Sequence, residues 1–245
     1  MAKKPALLFI HGFRGNHLGL QETAKYFEQA GYKTYAPDIP PSMDAQDDNQ
    51  EPINKFTAED YATWVANYIV NKKIDHPILI GHSMGSIIVA ATAEKFPNLI
   101  ADKVVFLSPI AVKPPRAITN LSPLTAVVPN KIIGYATTKY LIVPKDKKKL
   151  RETLDITYEC SKKFTKRTDV ARAAKFSSTY AISDFNFTQK SIFIAGEKDK
   201  LNSVKAVQDT AKKFNADAVF IKNAGHLVNY EEPIKLAKAI EKFIA

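Results

Sequence analysis

Cysteine is almost absent from this sequence, since Cys160 is the only one in 245 residues. A single cysteine cannot form an intramolecular disulfide, which is typical of proteins from a reducing compartment. No apolar run is long enough to span a bilayer, and the apolar stretch after the basic start MAKK is too short for a secretory signal. We therefore expect a cytoplasmic protein without stable membrane insertion.

The sequence also lacks closely spaced groups of histidine, cysteine and carboxylate residues, so we predict no metal and no other cofactor. Acidic residues are in the minority, and the formal net charge is +10. Much of this excess lies between Lys139 and Lys175, where twelve Lys and Arg face five Asp and Glu. The segment carries no nucleic-acid-binding motif, so a solvated helical face is favoured over an anionic partner, and we expect no nucleic acid.

Strand-like and helix-like patterns alternate along most of the chain, which predicts a parallel sheet with helices on both faces. The alternation stops at Ile110 and resumes near Lys190. We therefore predict an α/β core formed by residues 1–109 and 188–245, with a helical cap inserted as residues 110–187. Six strands are predicted, within the segments ALLFIHG, KTYAPDIP, PILI, DKVVFLSP, KSIFIAGEKD and AVFIKNAGH.

A serine between two glycines, in the segment GHSMG, marks the strongest candidate site. A buried strand runs directly into a buried helix here, and such a sharp turn needs Gly81 and Gly85 because a Cβ would block the close approach. Ser83 then lies at the corner with its side chain outward, as in a nucleophile elbow. The alternative is a serine that merely caps the helix.

A serine hydroxyl needs a base to remove its proton, and the base needs an acid to orient it. His226 follows the last predicted strand and is the candidate base. Asp199 follows the preceding strand and is the candidate acid, although Glu197 is an alternative only two residues away. Asp209 falls within a predicted helix and Asp217 at the opposite end of a strand, so neither fits.

Two backbone N–H groups are candidates for an oxyanion hole, which would stabilise the negative oxygen of a tetrahedral intermediate. Met84 directly follows the nucleophile, and Phe13 lies in the turn after the first strand. The carboxyl ends of parallel strands meet at one edge of a sheet. We therefore expect both groups to lie beside Ser83, whereas His11 and His82 flank these motifs and are interpreted as structural neighbours.

These motifs together resemble the α/β-hydrolase superfamily over nearly the whole chain except the cap. HGFRG is similar to the oxyanion turn of that family, GHSMG to its nucleophile elbow, GEKD to its acid turn and AGHLVNYEEP to its histidine loop. The order Ser83, Asp199, His226 is also the order in the family. The resemblance implies an α/β-hydrolase fold with a mainly parallel sheet of about six strands.

The resemblance also implies a serine hydrolase that cleaves a carboxylic ester of a small-molecule substrate through an acyl-enzyme. Thioesterases, peptidases and carbon–carbon lyases use the same kind of site and remain alternatives. A slow-turnover, ligand-sensing binding protein is another. The opening of the cap, IAVKPPRAITNLSPLTAVVP, is apolar and rich in proline, so we expect it to line an acyl pocket of limited size. The sequence does not indicate an oligomeric state.

Overall fold

Six parallel strands form one sheet in the computed structural model, which describes residues 4–41, 53–113, 130–143, 147–162 and 167–245. The spatial order is β2-β1-β3-β4-β5-β6, and every neighbouring pair is parallel. The strands are β1 (Leu7–Ile10), β2 (Thr34–Tyr35), β3 (Ile78–His82), β4 (Lys103–Leu107), β5 (Lys190–Gly196) and β6 (Asp217–Ile221). The predicted α/β architecture with about six mainly parallel strands is confirmed.

Among the described residues, one α-helix separates each pair of successive strands except β4 and β5, between which three follow one another, and two more follow β6. The helices are α1 (Gln21–Gln29), α2 (Ala58–Asn71), α3 (Met84–Lys95), α4 (Asn130–Leu141), α5 (Lys147–Lys162), α6 (Arg167–Thr179), α7 (Val204–Lys213), α8 (Val228–Glu231) and α9 (Pro233–Ile244). A 3₁₀ helix, His17–Leu20, precedes α1. Within the described ranges, no helix is both long and apolar enough to traverse a bilayer.

Two apolar clusters cover the two faces of the sheet. Because successive strand residues point to opposite faces, Leu8 and Ile10 pack with α2 and α3, whereas Leu7 and Phe9 pack with α1 and α9. The strands at the centre of the sheet are buried along most of their length. A sheet whose central strands are buried therefore carries the loops at its carboxyl edge.

Local sequence features explain where α2 begins and why β2 is short. The Thr57 hydroxyl accepts from the Asp60 N–H, and the Asp60 carboxylate accepts from the Thr57 N–H, which forms a capping box. By contrast, the strand predicted over Lys33 to Pro40 has only two residues, because Pro37 and Pro40 lack the N–H needed to extend a ladder.

The helices between β4 and β5 fall into two groups. Helices α4 and α5 pack on each other, and α5 contacts both the 3₁₀ helix after β1 and α8. Helix α6 instead places Phe176 in the apolar cluster of α2, with its ring centroid 4.7 Å from that of Tyr61. The α4–α5 pair thus lies beside the carboxyl edge of the sheet. The predicted cap opening is described only up to Lys113, and its residues 114–129 lie outside the described part of the chain.

Candidate active site

Ser83 joins β3 to α3 in a strained conformation, with φ of 51° and ψ of −116°. A Cβ on Gly81 would come within 2.4 Å of the Gly85 carbonyl oxygen, and one on Gly85 within 2.2 Å of the Ile10 carbonyl oxygen. Backbone atoms cannot move away cheaply, so both positions require glycine. The Ser83 side chain makes no capping hydrogen bond to α3, which removes helix capping as its role.

His226 lies in the loop between β6 and α8, and its imidazole is buried. The Ser83 hydroxyl donates to Nε2 of His226 at 2.9 Å, and Nδ1 of His226 donates to Oδ2 of Asp199 at 2.8 Å. The structure therefore brings together the three side chains predicted from the sequence, in one unbroken chain of hydrogen bonds. The arrangement has the geometry of a nucleophile, a base and an orienting acid.

Asp199 is fixed by its own loop as well as by His226. Its Oδ1 accepts from the backbone N–H groups of Leu201 at 2.7 Å and Asn202 at 3.1 Å. Burial alone raises the pKa of Asp199, but the hydrogen bonds and charge of His226, with these two N–H groups, outweigh it and lower the pKa. Glu197 is exposed and holds β6 through its backbone N–H instead.

The candidate oxyanion donors follow adjacent strands, since β1 pairs with β3 and Ile10 is opposite Gly81. The turn after β1 comes so close to the nucleophile that a Cβ on Gly12 would lie 3.0 Å from the Ser83 Cβ. Phe13 follows Gly12, and Met84 is the first residue of α3. Among the described residues, neither N–H donates to a backbone carbonyl oxygen in the turns and loops. The predicted oxyanion hole is compatible with this geometry.

His82 is a buried neighbour of the site, and its Nε2 donates to the backbone carbonyl of His226 at 3.2 Å. Burial, and secondarily the neighbouring His226, lower the pKa of His82 to about 3. His11 has a different structural role, because its Nε2 accepts from the Ile39 N–H while Nδ1 donates to the Gly12 carbonyl. Both histidines hold backbone segments, and neither contacts the Ser83 hydroxyl.

Two polar residues that brace the site, Asn202 and Glu231, are not among the catalytic candidates identified in the sequence. The amide oxygen of Asn202 accepts from the Ala111 N–H at 3.2 Å, which joins the loop of Asp199 to the segment that follows β4. The buried carboxylate of Glu231 accepts from Gly225 and Val143. Position alone gave only a weak signal: Asn202 closely follows the candidate acid, and Glu231 precedes the proline that begins α9.

Metal-ligating side chains are not grouped at this site within the described ranges. In the part of the chain that the structure describes, no group of three or more His, Cys, Asp and Glu side chains could hold a metal ion. The absence of a cofactor remains a prediction. What the arrangement can do chemically is activate a serine hydroxyl as a nucleophile.

Comparison with known proteins gives results consistent with the fold. Residues 5–130 match the family model described as alpha/beta hydrolase fold. A Mycoplasma pneumoniae protein provisionally named esterase/lipase 2 is 20% identical, covering 99% of this chain and 90% of its own. The 2-(acetamidomethylene)succinate hydrolase of Mesorhizobium japonicum is 24% identical, covering 98% of this chain and 88% of its own.

Solved structures extend the likeness across the chain. An esterase from Exiguobacterium antarcticum superposes with a TM-score of 0.86 at 11% identity, covering 100% of this chain and 93% of its own. The identity is low, so the superposition supports the fold and not a substrate. The family model, however, covers slightly more than half of the chain, and together with the six parallel strands it shows that the chain belongs to the alpha/beta hydrolase family.

Proposed function

We propose that this protein is a serine hydrolase that cleaves carboxylic esters of small to medium acyl groups through an acyl-enzyme intermediate. The observation that carries the proposal is the hydrogen-bond chain from Ser83 through His226 to Asp199, at 2.9 and 2.8 Å. The esterase and lipase name of the Mycoplasma pneumoniae relative supports the choice of an ester bond.

In the proposed acylation step, Ser83 Oγ attacks the ester carbonyl carbon while Nε2 of His226 takes the hydroxyl proton. Asp199 keeps the proton of His226 on Nδ1 and stabilises the imidazolium that forms. The N–H groups of Phe13 and Met84 would stabilise the carbonyl oxygen as it becomes negative. The tetrahedral intermediate then collapses, the bond to the alcohol oxygen breaks, and His226 gives its proton to the departing alcohol.

Deacylation repeats these roles with water as the nucleophile. His226 removes a proton from the water, the hydroxide attacks the acyl carbon, and the bond to Ser83 Oγ breaks as His226 returns the proton to Oγ. The products are a carboxylic acid and the free enzyme. A thioester enters the same sequence with a thiol as leaving group, so thioester cleavage is a second reaction to assay. Residues 110–187 would act as the cap over this site.

Labelling with a fluorophosphonate probe tests the nucleophile, and p-nitrophenyl ester turnover tests the reaction. We expect wild type to be labelled and Ser83→Ala to remain unlabelled, with kcat reduced by ~10⁶, as when a serine protease loses its nucleophile. Ser108→Ala is the matched control, because its buried hydroxyl has no hydrogen-bond partner within the described residues. Labelling of Ser83→Ala equal to wild type would contradict the assignment.

The turnover number separates an enzyme from a slow, ligand-sensing binding protein on the same scaffold. We expect kcat for a good ester to fall in the range of about 1–10³ s⁻¹ that is typical of enzymes. Stoichiometric labelling by the probe, combined with a single release of p-nitrophenol and no further turnover, would instead indicate the binding protein.

A further inference from the structure

The backbone of His226 is held by the insertion as well as by its own loop. Its N–H donates to the carbonyl oxygen of Leu141 at 2.8 Å, and Leu141 is the last residue of α4. The contact is close, because a Cβ on Gly225 would lie 2.4 Å from the same carbonyl oxygen. The position of the candidate base therefore depends on where α4 ends.

Glu231 connects the same two segments through its side chain. Its Oε1 accepts from the Gly225 N–H at 2.9 Å, and its Oε2 accepts from the Val143 N–H at 2.8 Å. The residue is only 7% exposed. A buried carboxylate is costly unless it is hydrogen bonded, and hydrogen bonds to a charged acceptor are stronger than neutral ones. We call these contacts of Leu141, Val143, Gly225, His226 and Glu231 the Glu231 clasp.

The acid loop touches the same end of α4. The Nζ of Lys200, the residue after Asp199, lies 4.8 Å from the ring centroid of Tyr140, within the range of a cation–π interaction. The end of α4 thus contacts the loops of both His226 and Asp199. A shift of this helix would therefore move both His226, the proposed base, and Asp199, which orients it.

We infer that Glu231 is a positioning residue for His226. Its carboxylate holds the histidine loop against the end of α4, so the reactivity of Ser83 depends on the position of that helix. The inference rests on the proposed function of the triad. It assigns Glu231 no contact with substrate. Its effect on the reaction passes through the backbone of Gly225 and His226.

Glu231→Gln tests the clasp with little change in size. A glutamine has one acceptor oxygen and an NH₂ donor, so one of the two backbone N–H groups loses its acceptor and faces a donor. Because a displacement of about 1 Å at a catalytic group can cost ~10²-fold in rate, we expect kcat to fall by about 10- to 100-fold. Since acylation and deacylation both use His226, KM should stay within about twofold.

The measurement must separate positioning from simple loss of folded protein. Active sites are first counted by burst titration or fluorophosphonate labelling, and kcat is then expressed per titrated site. Glu241→Gln is the matched control, because Glu241 of α9 accepts a hydrogen bond from Tyr26 of α1 and belongs to no contact of the Glu231 clasp. We expect wild-type kcat per titrated site in that control.

A second variant probes the other end of the clasp if Glu231→Gln does not fold. Val143→Pro removes the N–H that donates to Oε2 and leaves Glu231 and His226 unsubstituted. We expect a fall in kcat per site of similar size. In a double-mutant cycle the two substitutions should not multiply, because each breaks the same bridge.

The outcomes divide clearly. A lower kcat per titrated site in both single variants, with non-multiplying effects, supports the inference. Wild-type kcat per site in Glu231→Gln, a change confined to KM, or effects that multiply would overturn it. If wild type itself is neither labelled nor active on esters or thioesters, the proposed function fails instead, so the two failures are distinguishable.

Discussion

The Ser83 hydroxyl and the His226 imidazole are hydrogen bonded although 143 positions separate them in the chain. Their strands are not neighbours, since β4 and β5 lie between β3 and β6. The histidine loop must therefore cross back over the end of β5. It does so at Gly196, where a Cβ would lie 2.1 Å from the Gly225 carbonyl oxygen. Two glycines in contact thus allow the base to reach a nucleophile about three strand spacings away, or ~14 Å.

Replacing the acid should impair the proposed reaction much more than replacing its neighbour. Asp199→Asn removes the carboxylate that fixes the tautomer of His226, and the same change in a serine protease lowers kcat by ~10⁴. Glu197→Gln should leave kcat within about twofold, since Glu197 is exposed and makes no contact with His226 among the described residues. Steady-state kinetics on one p-nitrophenyl ester measures both. The reverse ranking would make Glu197 the orienting residue.

The nucleophile elbow and the strand ends were predictable because they depend on local rules. Gly81 and Gly85 bracket Ser83 for steric reasons that are visible in five residues, and the end of a strand places Asp199 at the correct edge. This is why the six-stranded fold and the meeting of Ser83, Asp199 and His226 followed from the sequence. The catalytic roles of these residues remain predictions, as do the oxyanion donors and the boundaries of the cap.

The Glu231 clasp was not predictable, because it depends on how distant segments pack. Glu231 and Val143 are 88 positions apart, and no periodic pattern connects them. Helix α6 illustrates the same limit. Its sequence belongs to the predicted cap, yet Phe176 packs into the cluster that contains Tyr61. Apolar periodicity identifies the buried face of a helix, but it does not say which neighbour covers that face.

The free energy of unfolding should fall in mild acid because of His82. Its pKa is about 3 in the folded protein against 6.5 for an ordinary histidine. Between these two values the unfolded chain binds a proton that the folded protein does not, so stability decreases as the pH falls. The expected slope from this one group is up to ~1.4 kcal/mol per pH unit. Above about pH 6.5 the contribution of His82 no longer changes.

Denaturant unfolding of wild type and His82→Gln at several pH values between 4 and 7 checks this prediction. The variant has a different absolute stability, because it loses the hydrogen bond to the His226 carbonyl. The informative quantity is the slope of the free energy of unfolding against pH. It should be shallower in the variant by up to ~1.4 kcal/mol per pH unit, which corresponds to one proton. Burial also lowers the pKa of His11, but that residue is present in both proteins and its contribution cancels. Parallel curves would contradict a neutral, buried His82.

Acyl-chain length tests the pocket that the insertion is proposed to form. Ala111, shortly after β4, is buried and hydrogen bonded to Asn202 in the loop of Asp199. By contrast, Lys147, Lys148 and Arg151 of α5 are exposed. We expect an apolar acyl site with the charged side chains outside it. Each methylene that fits contributes ~0.8 kcal/mol of burial, or about fourfold in kcat/KM if the transition state benefits fully. Activity should therefore rise from acetyl towards butyryl or hexanoyl esters and fall for longer chains.

A series of p-nitrophenyl esters keeps the leaving group constant while kcat/KM is measured. A flat profile or a maximum at acetate would show that no such pocket exists.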